Sequence, residues 1–171
     1  FGSSLCMANH PTLGHVLGGR VVVPASCAQG DFLAECVASC LGRSAVCGDL
    51  VLSREEASAL TASGRIVVDE SIAIGLTDKR SRVFKHFLSR GWVVRCGLKF
   101  GSDFLLYRDT PEESHAEYGV RVCDLDQDWS DILGWSRLAV STAKEALLVI
   151  VSDECSAITE VVVQRWQPHL Y

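Results

Sequence analysis

The sequence predicts an α/β (α+β) protein of two domains, a small mixed N-terminal domain over residues 1–76 and a second domain over residues 77–171. Three observations predict it. Short β-branched runs such as Arg20–Val23 and Ile158–Val163 are interspersed with segments of helical period. Helix-start signals stand at Ser53 and Asp128. Between the two groups, Gly75 interrupts the pattern in the stretch Ser71–Thr77. At 171 residues, 48% of them hydrophobic, the chain can bury a core in one compact domain or two small ones.

In order along the chain, Arg20–Val23 reads as a strand. A helix follows from about Asp31 to Leu41, closed by Gly42, with Cys36 and Cys40 on one face. Ser53 and Glu56 form a capping box ahead of Ala57–Leu60, because a cap serine and a glutamate three residues on satisfy each other's free backbone donors. Gly64 ends that helix and Ile66–Val68 begins a strand. The next helix spans Asp78–Ser89, with Val83, Phe84, Phe87 and Leu88 as its apolar face, and Gly91 caps it. Strand patterns at Trp92–Leu98, Asp103–Tyr107 and Ala116–Val122 are joined through Gly97, Gly101 and the loop Arg108–Ser114. Asp128 caps a helix through Trp129, Ile132, Trp135 and Leu138, and Ala146–Val151 and Ile158–Val163 close the chain as strands.

The N-terminal stretch has neither a basic start nor a clean apolar run, and Ala146–Val151 is too short to span a bilayer, so the expected location is the cytoplasm, with no membrane partner. Eight cysteines without a secretion signal leave disulfides open only as the intracellular kind, and no pair has zinc-knuckle spacing. The net charge of −5 argues against a generic nucleic-acid coat. The distribution of charge points the other way. Lys79, Arg80, Arg82, Lys85, Arg90, Arg95, Lys99 and Arg108 are half of the 16 basic residues, set against the single acid Asp103. From Asp109 to Asp131 the balance inverts, which suggests a basic and an acidic face for two partners; a solvated helix face plus an acidic loop is the plainer alternative.

The run RGWVVRCGLKFGSDFLLY from Arg90 to Tyr107, HAEY from His115 and RLAVSTAK ending at Lys144 resemble the catalytic domain of archaeal tRNA-splicing endonucleases. DLVLSREEASALTASGRIVV resembles the N-terminal domain of that family more loosely. The resemblance implies a restriction-endonuclease-like C-terminal domain and a catalytic triad of Tyr107 as base, His115 as acid and Lys144 as electrostatic stabiliser. It also implies cleavage of precursor tRNA at a bulge-helix-bulge motif, through the RNA's own 2′-hydroxyl, to 2′,3′-cyclic phosphate and 5′-hydroxyl ends. Such chemistry needs a base, an acid and positive charge on the phosphorane, and neither metal nor cofactor. A histidine with an ordinary pKa of ~6.5 suits proton shuttling, whereas a phenol near ~10 needs a neighbouring cation, for which Lys144 is the expected candidate. Taken singly, Tyr107 reads as a strand-end tyrosine, His115 as a loop histidine and Lys144 as a helix-end lysine; taken with their motifs, they read as a site.

By the same resemblance, Arg137 and Arg165 occupy the places of two arginines that grip an RNA base, although a helix-face ion pair and a sheet-edge charge are the plainer readings. The basic run from Lys79 to Arg108, Lys99 included, is expected on the RNA backbone. Asp153 and Glu154 fall where the family carries an acidic inter-subunit loop. The resemblance implies assembly with other endonuclease subunits, and the atypical cysteine-rich N-terminal region favours a heterotetramer over a homotetramer. A non-catalytic structural subunit is one alternative. A metal-dependent nuclease is another, with Asp109 and Glu112 as possible ligands, although the paired-carboxylate signature with its lysine is absent. His10, His15, His86 and His169 read as structural or surface residues. Gly119 departs from the family, which favours a large apolar residue there, so the packing of the strand behind His115 is expected to differ.

Overall fold

The computed structural model describes residues 12–17, 19–27, 30–44, 48–68, 78–152 and 157–164. It divides into two compact units, Phe1–Thr77 and Asp78–Tyr171. Both are built on mixed five-stranded sheets, so the α/β (α+β) class stands.

In the first unit, β1 (Thr12–Leu17) and β2 (Arg20–Val23) pair as an antiparallel hairpin. Next come α1 (Gly30–Ala38), β3 (Arg43–Ser44), β4 (Leu50–Leu52), α2 (Arg54–Ala62) and β5 (Ile66–Val68), and the sheet runs β3-β4-β2-β1-β5 with β5 parallel to β1. Alternation puts Val21, Val23, Leu50 and Leu52 inward, where Ala57, Leu60 and Ile66 join them. Helix α1 stops at Ala38, short of Leu41, because Cys40 turns left-handed at φ 54° and the Leu41 N–H returns to the Cys36 carbonyl at 2.8 Å. Cys40 therefore lies beyond the helix. Strands β1, β3 and β4 were not legible in the sequence pattern; β3 and β4 are too short to show a period, and β1, though six residues long and hairpinned to β2, holds only alternate buried positions at its start.

The capping box is as expected and does more. Ser53 Oγ accepts from the Glu56 N–H at 3.2 Å, and the Glu56 carboxylate accepts from the Ser53 N–H at 2.7 Å and from the Gly42 N–H at 3.1 Å. One carboxylate, 8% exposed, thus joins the end of the α1 connection to the start of α2. Gly42 sits at φ +72°, and a Cβ there would lie 2.6 Å from Leu50 Cδ1. Burial, and then the Glu56 charge, push the Cys36 thiol up to about 11.

In the second unit the order is α3 (Lys79–Ser89), β6 (Val93–Cys96), a 310 turn (Leu98–Phe100), β7 (Phe104–Tyr107), β8 (Tyr118–Cys123), α4 (Trp129–Ser141), β9 (Glu145–Val151) and β10 (Ile158–Val163). The sheet runs β10-β9-β8-β7-β6, antiparallel except where β9 lies parallel to β8. Helix α3 buries Val83, Phe84 and Phe87 on the face holding Val94, Phe104, Leu106, Val120 and Val149, with the Phe84 and Phe104 rings 5.9 Å apart. Helix α4 buries Ile132, Trp135 and Ala139 on the opposite face, against Cys123, Ala146 and Leu148. Asp78 and Asp128 cap α3 and α4. His86 Nε2 and Arg90 Nη1 meet Glu160 Oε1 at 2.7 and 2.5 Å, fastening α3 to β10. No helix among the described residues is long and apolar enough to cross a membrane.

Gly119 explains its own departure from pattern. A Cβ there would stand 2.8 Å from Ser102 Oγ, and that hydroxyl accepts the buried Trp135 Nε1–H at 3.2 Å. The missing side chain makes room for a polar contact that satisfies the indole.

Both packing details have measurable consequences for stability. Gly119→Ala should destabilise the second unit by about 1–3 kcal/mol through overpacking against Ser102, read as a lower urea midpoint with an unchanged slope; an unaltered midpoint would refute the steric account. Glu56→Ala removes the carboxylate that accepts from two backbone N–H groups and should cost on the order of 1–3 kcal/mol in the first unit, visible as accelerated hydrogen exchange at the Gly42 and Ser53 amides.

Candidate active site

Strand direction places Tyr107, His115 and Lys144. Tyr107 ends β7, His115 precedes β8 by three residues, and Lys144 immediately precedes β9. Because β7 and β8 run antiparallel while β8 and β9 run parallel, the end of the first and the starts of the other two share one edge of the sheet. A backbone ladder crosses that edge. The Glu117 N–H donates to Leu106 O and the Glu145 N–H to Glu117 O, both at 2.9 Å. Tyr107 and Lys144 flank Glu117 in register, one on each neighbouring strand, so their Cα atoms lie two strand spacings, roughly 10 Å, apart. Side chains of several ångströms can converge across such a gap.

The loop to His115 is locally determined. The Glu113 and Ser114 N–H groups both donate to Thr110 O at 3.0 Å, Ser114 Oγ donates to it at 3.2 Å, and Ala116 is buried. His115 stands between these anchors with its side chain exposed. Tyr107 and Lys144 are half-buried.

Residues 77–160 match the family described as tRNA intron endonuclease, catalytic C-terminal domain. The second unit matches that catalytic domain. Among similar proteins, the tRNA-splicing endonuclease of Methanopyrus kandleri is 37% identical over 87 residues, covering 50% of this chain and 49% of that protein. That of Methanococcus vannielii is 38% identical over 95 residues, covering 54% and 51%. The tRNA-splicing endonuclease subunit Sen2-2 of Arabidopsis thaliana is 35% identical over 106 residues, covering 52% and 42%. The chain spans about half the length of the curated relatives it matches. Tyr107, His115 and Lys144 all lie inside the tRNA intron endonuclease match.

Within that domain the charges arrange themselves differently from the sequence expectation. Burial pushes the Tyr107 phenol above its ordinary value of 10.0; Arg95 on β6 opposes the rise and Glu112 adds to it. The cation expected to act on the phenol was Lys144. Instead, Lys144 Nζ lies over the Phe100 ring, 4.2 Å from its centroid, and donates to Thr142 O at 2.9 Å. Arg95 comes to Tyr107 from the adjacent strand, on the same sheet face, since Val93 is the register partner of Tyr107. The sequence set Arg95 in the basic run without tying it to Tyr107 and did not single out Phe100, although both fall inside the motif that ends at Tyr107.

The basic run and the acidic stretch partly neutralise each other. Lys79 pairs with Asp124 at 2.6 Å and Arg108 Nε with Glu117 Oε1 at 3.2 Å, while Arg80 pairs with Asp103 inside the basic run itself. Arg108 also stacks 4.0 Å from the centroid of Trp92, which meets Tyr118 edge-on at 5.7 Å. Lys99, on the 310 turn, and Arg137, on α4, are exposed. Arg165, Asp153 and Glu154 lie outside the described residues, as do His10 and His169. Among the described residues, no three His, Cys, Asp or Glu side chains gather as a metal site, and Cys27, Cys36, Cys40, Cys96 and Cys123 are free thiols.

The direction of the Tyr107 shift can be measured. Titrating ring-labelled tyrosine by NMR should give a Tyr107 midpoint above 10, rising further in Arg95→Leu; a midpoint below 10 would contradict the burial account. Because the folded value is raised, the associated stabilisation is complete below the unfolded pKa of ~10 and is lost as pH rises through the folded value.

Proposed function

We propose that the chain is the catalytic subunit of a tRNA-splicing endonuclease that cuts precursor tRNA at a bulge-helix-bulge motif without a metal ion. The backbone edge shared by Tyr107, His115 and Lys144, inside a domain matching the tRNA intron endonuclease family, supports the reading. Tyr107 takes the proton of the 2′-hydroxyl, whose oxygen attacks the adjacent phosphorus. Lys144 neutralises the developing phosphorane charge, and His115 gives a proton to the departing 5′-oxygen. The products carry a 2′,3′-cyclic phosphate and a 5′-hydroxyl.

A phenol with an ordinary value of 10.0 is already protonated at neutral pH and burial raises Tyr107 further, so the base is a minor population that Arg95 enlarges. Lys144 is thereby left for the phosphate. Arg137, Arg165 and Lys99 contact RNA, and an arginine plane suits stacking on an unpaired base. Asp153 and Glu154 belong to a contact with further endonuclease subunits. The word subunit in the Arabidopsis relative's name supports a multi-chain assembly, and we place this chain in a heterotetramer. Retention of all three candidate residues favours this reading over a non-catalytic structural subunit.

Cleavage of a bulge-containing precursor tRNA in excess EDTA tests the proposal, with the protein alone and with candidate partner subunits. Cutting should persist in EDTA, yield cyclic-phosphate ends, and fall by at least about 10²-fold in His115→Ala, the lower range for loss of a positioned acid. Dependence on magnesium, or full activity in His115→Ala, would sink it.

A further inference from the structure

We infer that Phe100 is a positioning residue for Lys144, its ring face acting as the rest that fixes where the ammonium of this edge lysine lies. This deepens the endonuclease reading and rests on it.

The contact is direct. Lys144 Nζ lies 4.2 Å from the Phe100 ring centroid, well inside the ~6 Å over which a ring face attracts a cation. One N–H of the ammonium is taken by Thr142 O at 2.9 Å. An ammonium has three donors and no acceptor. With one on a carbonyl and the charge resting on a ring, a further N–H remains for an anionic oxygen.

Both partners are held by the C-terminal end of α4. On the lysine side, the helix closes through Thr142, and Ala143 turns left-handed at φ 55°, a conformation that costs a non-glycine residue ~1 kcal/mol or more. The Lys144 N–H then returns to Ala139 O at 3.0 Å. This sharp exit, rather than a gradual one, sets where the lysine stem begins.

On the ring side, the 310 turn leaves β6 at the end of the sheet opposite Tyr107, yet its ring reaches Lys144. The turn is tight. Phe100 N–H donates to Gly97 O at 2.8 Å and Gly101 N–H to Leu98 O at 3.2 Å. A Cβ on Gly97 would stand 2.8 Å from Ser102 O, and one on Gly101 would stand 2.5 Å from Leu138 Cδ2 of α4. The turn that carries the ring therefore packs against the same helix whose end carries the lysine.

The chemistry explains why a ring is useful there. A lysine stem is flexible, and a misplacement of ~1 Å can cost a catalyst ~10²-fold. A carboxylate would hold the ammonium more firmly but would cancel the charge needed by the phosphorane. A ring face restricts the stem, leaves the charge intact, and yields to a phosphate oxygen because the cation–ring attraction is the weaker of the two.

Lysine NMR and cleavage kinetics on the full chain test this together. The sequence has lysine only at 79, 85, 99 and 144, so reductively 13C-methylated amines give few signals, and Lys144→Arg assigns the one in question. In the wild type the Lys144 signal should be displaced upfield by the ring. Phe100→Leu should abolish the displacement and lower kcat on the order of tenfold with KM unchanged, while Phe100→Tyr should keep both near wild type. Trifluorophenylalanine at position 100 keeps the shape but weakens the ring's negative face, so kcat should fall there too, without any challenge to folding. An undisplaced Lys144 signal, or kcat in Phe100→Leu and the fluorinated protein equal to wild type, overturns the inference. The two proposals fail separately: equal cutting by wild type and Phe100→Leu removes this one alone. A wild type that cuts no RNA in any assembly, although its Lys144 signal depends on Phe100, removes the endonuclease reading and the catalytic role of the contact with it.

Discussion

The parallel insertion of β9 beside β8 is the constraint on which the candidate site depends. Had β9 returned as a hairpin, its start would lie at the far end of the sheet, several residues at ~3.3 Å each from Tyr107. A parallel neighbour requires a crossover, and α4 is that crossover. Its own start is secured by Asp128, whose carboxylate accepts from the Ser130 N–H at 2.8 Å and is held below its usual range by that bond. Its length is set by Ile132, Trp135 and Ala139, which must reach Cys123, Ala146 and Leu148 on the sheet. The helix thus decides which residue begins β9, and so which side chain meets the edge.

The same helix couples site to core through the segment 97–102. Ser102 fills the space left by Gly119 and receives the Trp135 indole, while Gly101 abuts Leu138 and Phe100 supports Lys144. A short run of residues therefore serves packing on one side and charge placement on the other. That arrangement accounts for two glycines within five residues. At Gly97 the backbone comes too close for a Cβ, and at Gly101 the chain is left-handed at φ +66° and pressed against α4.

Elements were legible in the sequence where a local signal sufficed. The Ser53 capping box, the Asp128 cap, the helix expected from Asp78 to Ser89, β2, β5 and β10 follow from short-range chemistry, and the structure has them at or within a residue of their expected bounds. Bounds failed where a turn was decided by distant contacts. Strand β6 stops at Cys96 because the 310 turn that follows must pack on α4, and β8 begins at Tyr118 because Ala116 is spent anchoring the His115 loop. The triad candidates were legible by resemblance, whereas their electrostatics were not. Which cation faces Tyr107 depends on the register of β6 against β7, and a sequence pattern carries no register across a turn.

The electrostatics of the edge then favour a division of labour between two cations. Two unit charges 4 Å apart interact by ~4 kcal/mol at an effective dielectric of 20, which corresponds to roughly three pK units. A lysine resting against the phenol could therefore make Tyr107 a competent base, but the resulting ion pair would neutralise the charge required at the phosphorane. Under the proposed mechanism the two tasks fall to different cations. Arg95 acts on Tyr107 from β6, and Lys144 rests on a neutral ring, drawn there without being cancelled. Glu117, the carboxylate in register between the two residues, is engaged by Arg108 Nε at 3.2 and 3.3 Å. The acid in register between Lys144 and Tyr107 is thus already matched by an arginine, and Lys144 keeps its contacts with the Phe100 ring and the Thr142 carbonyl.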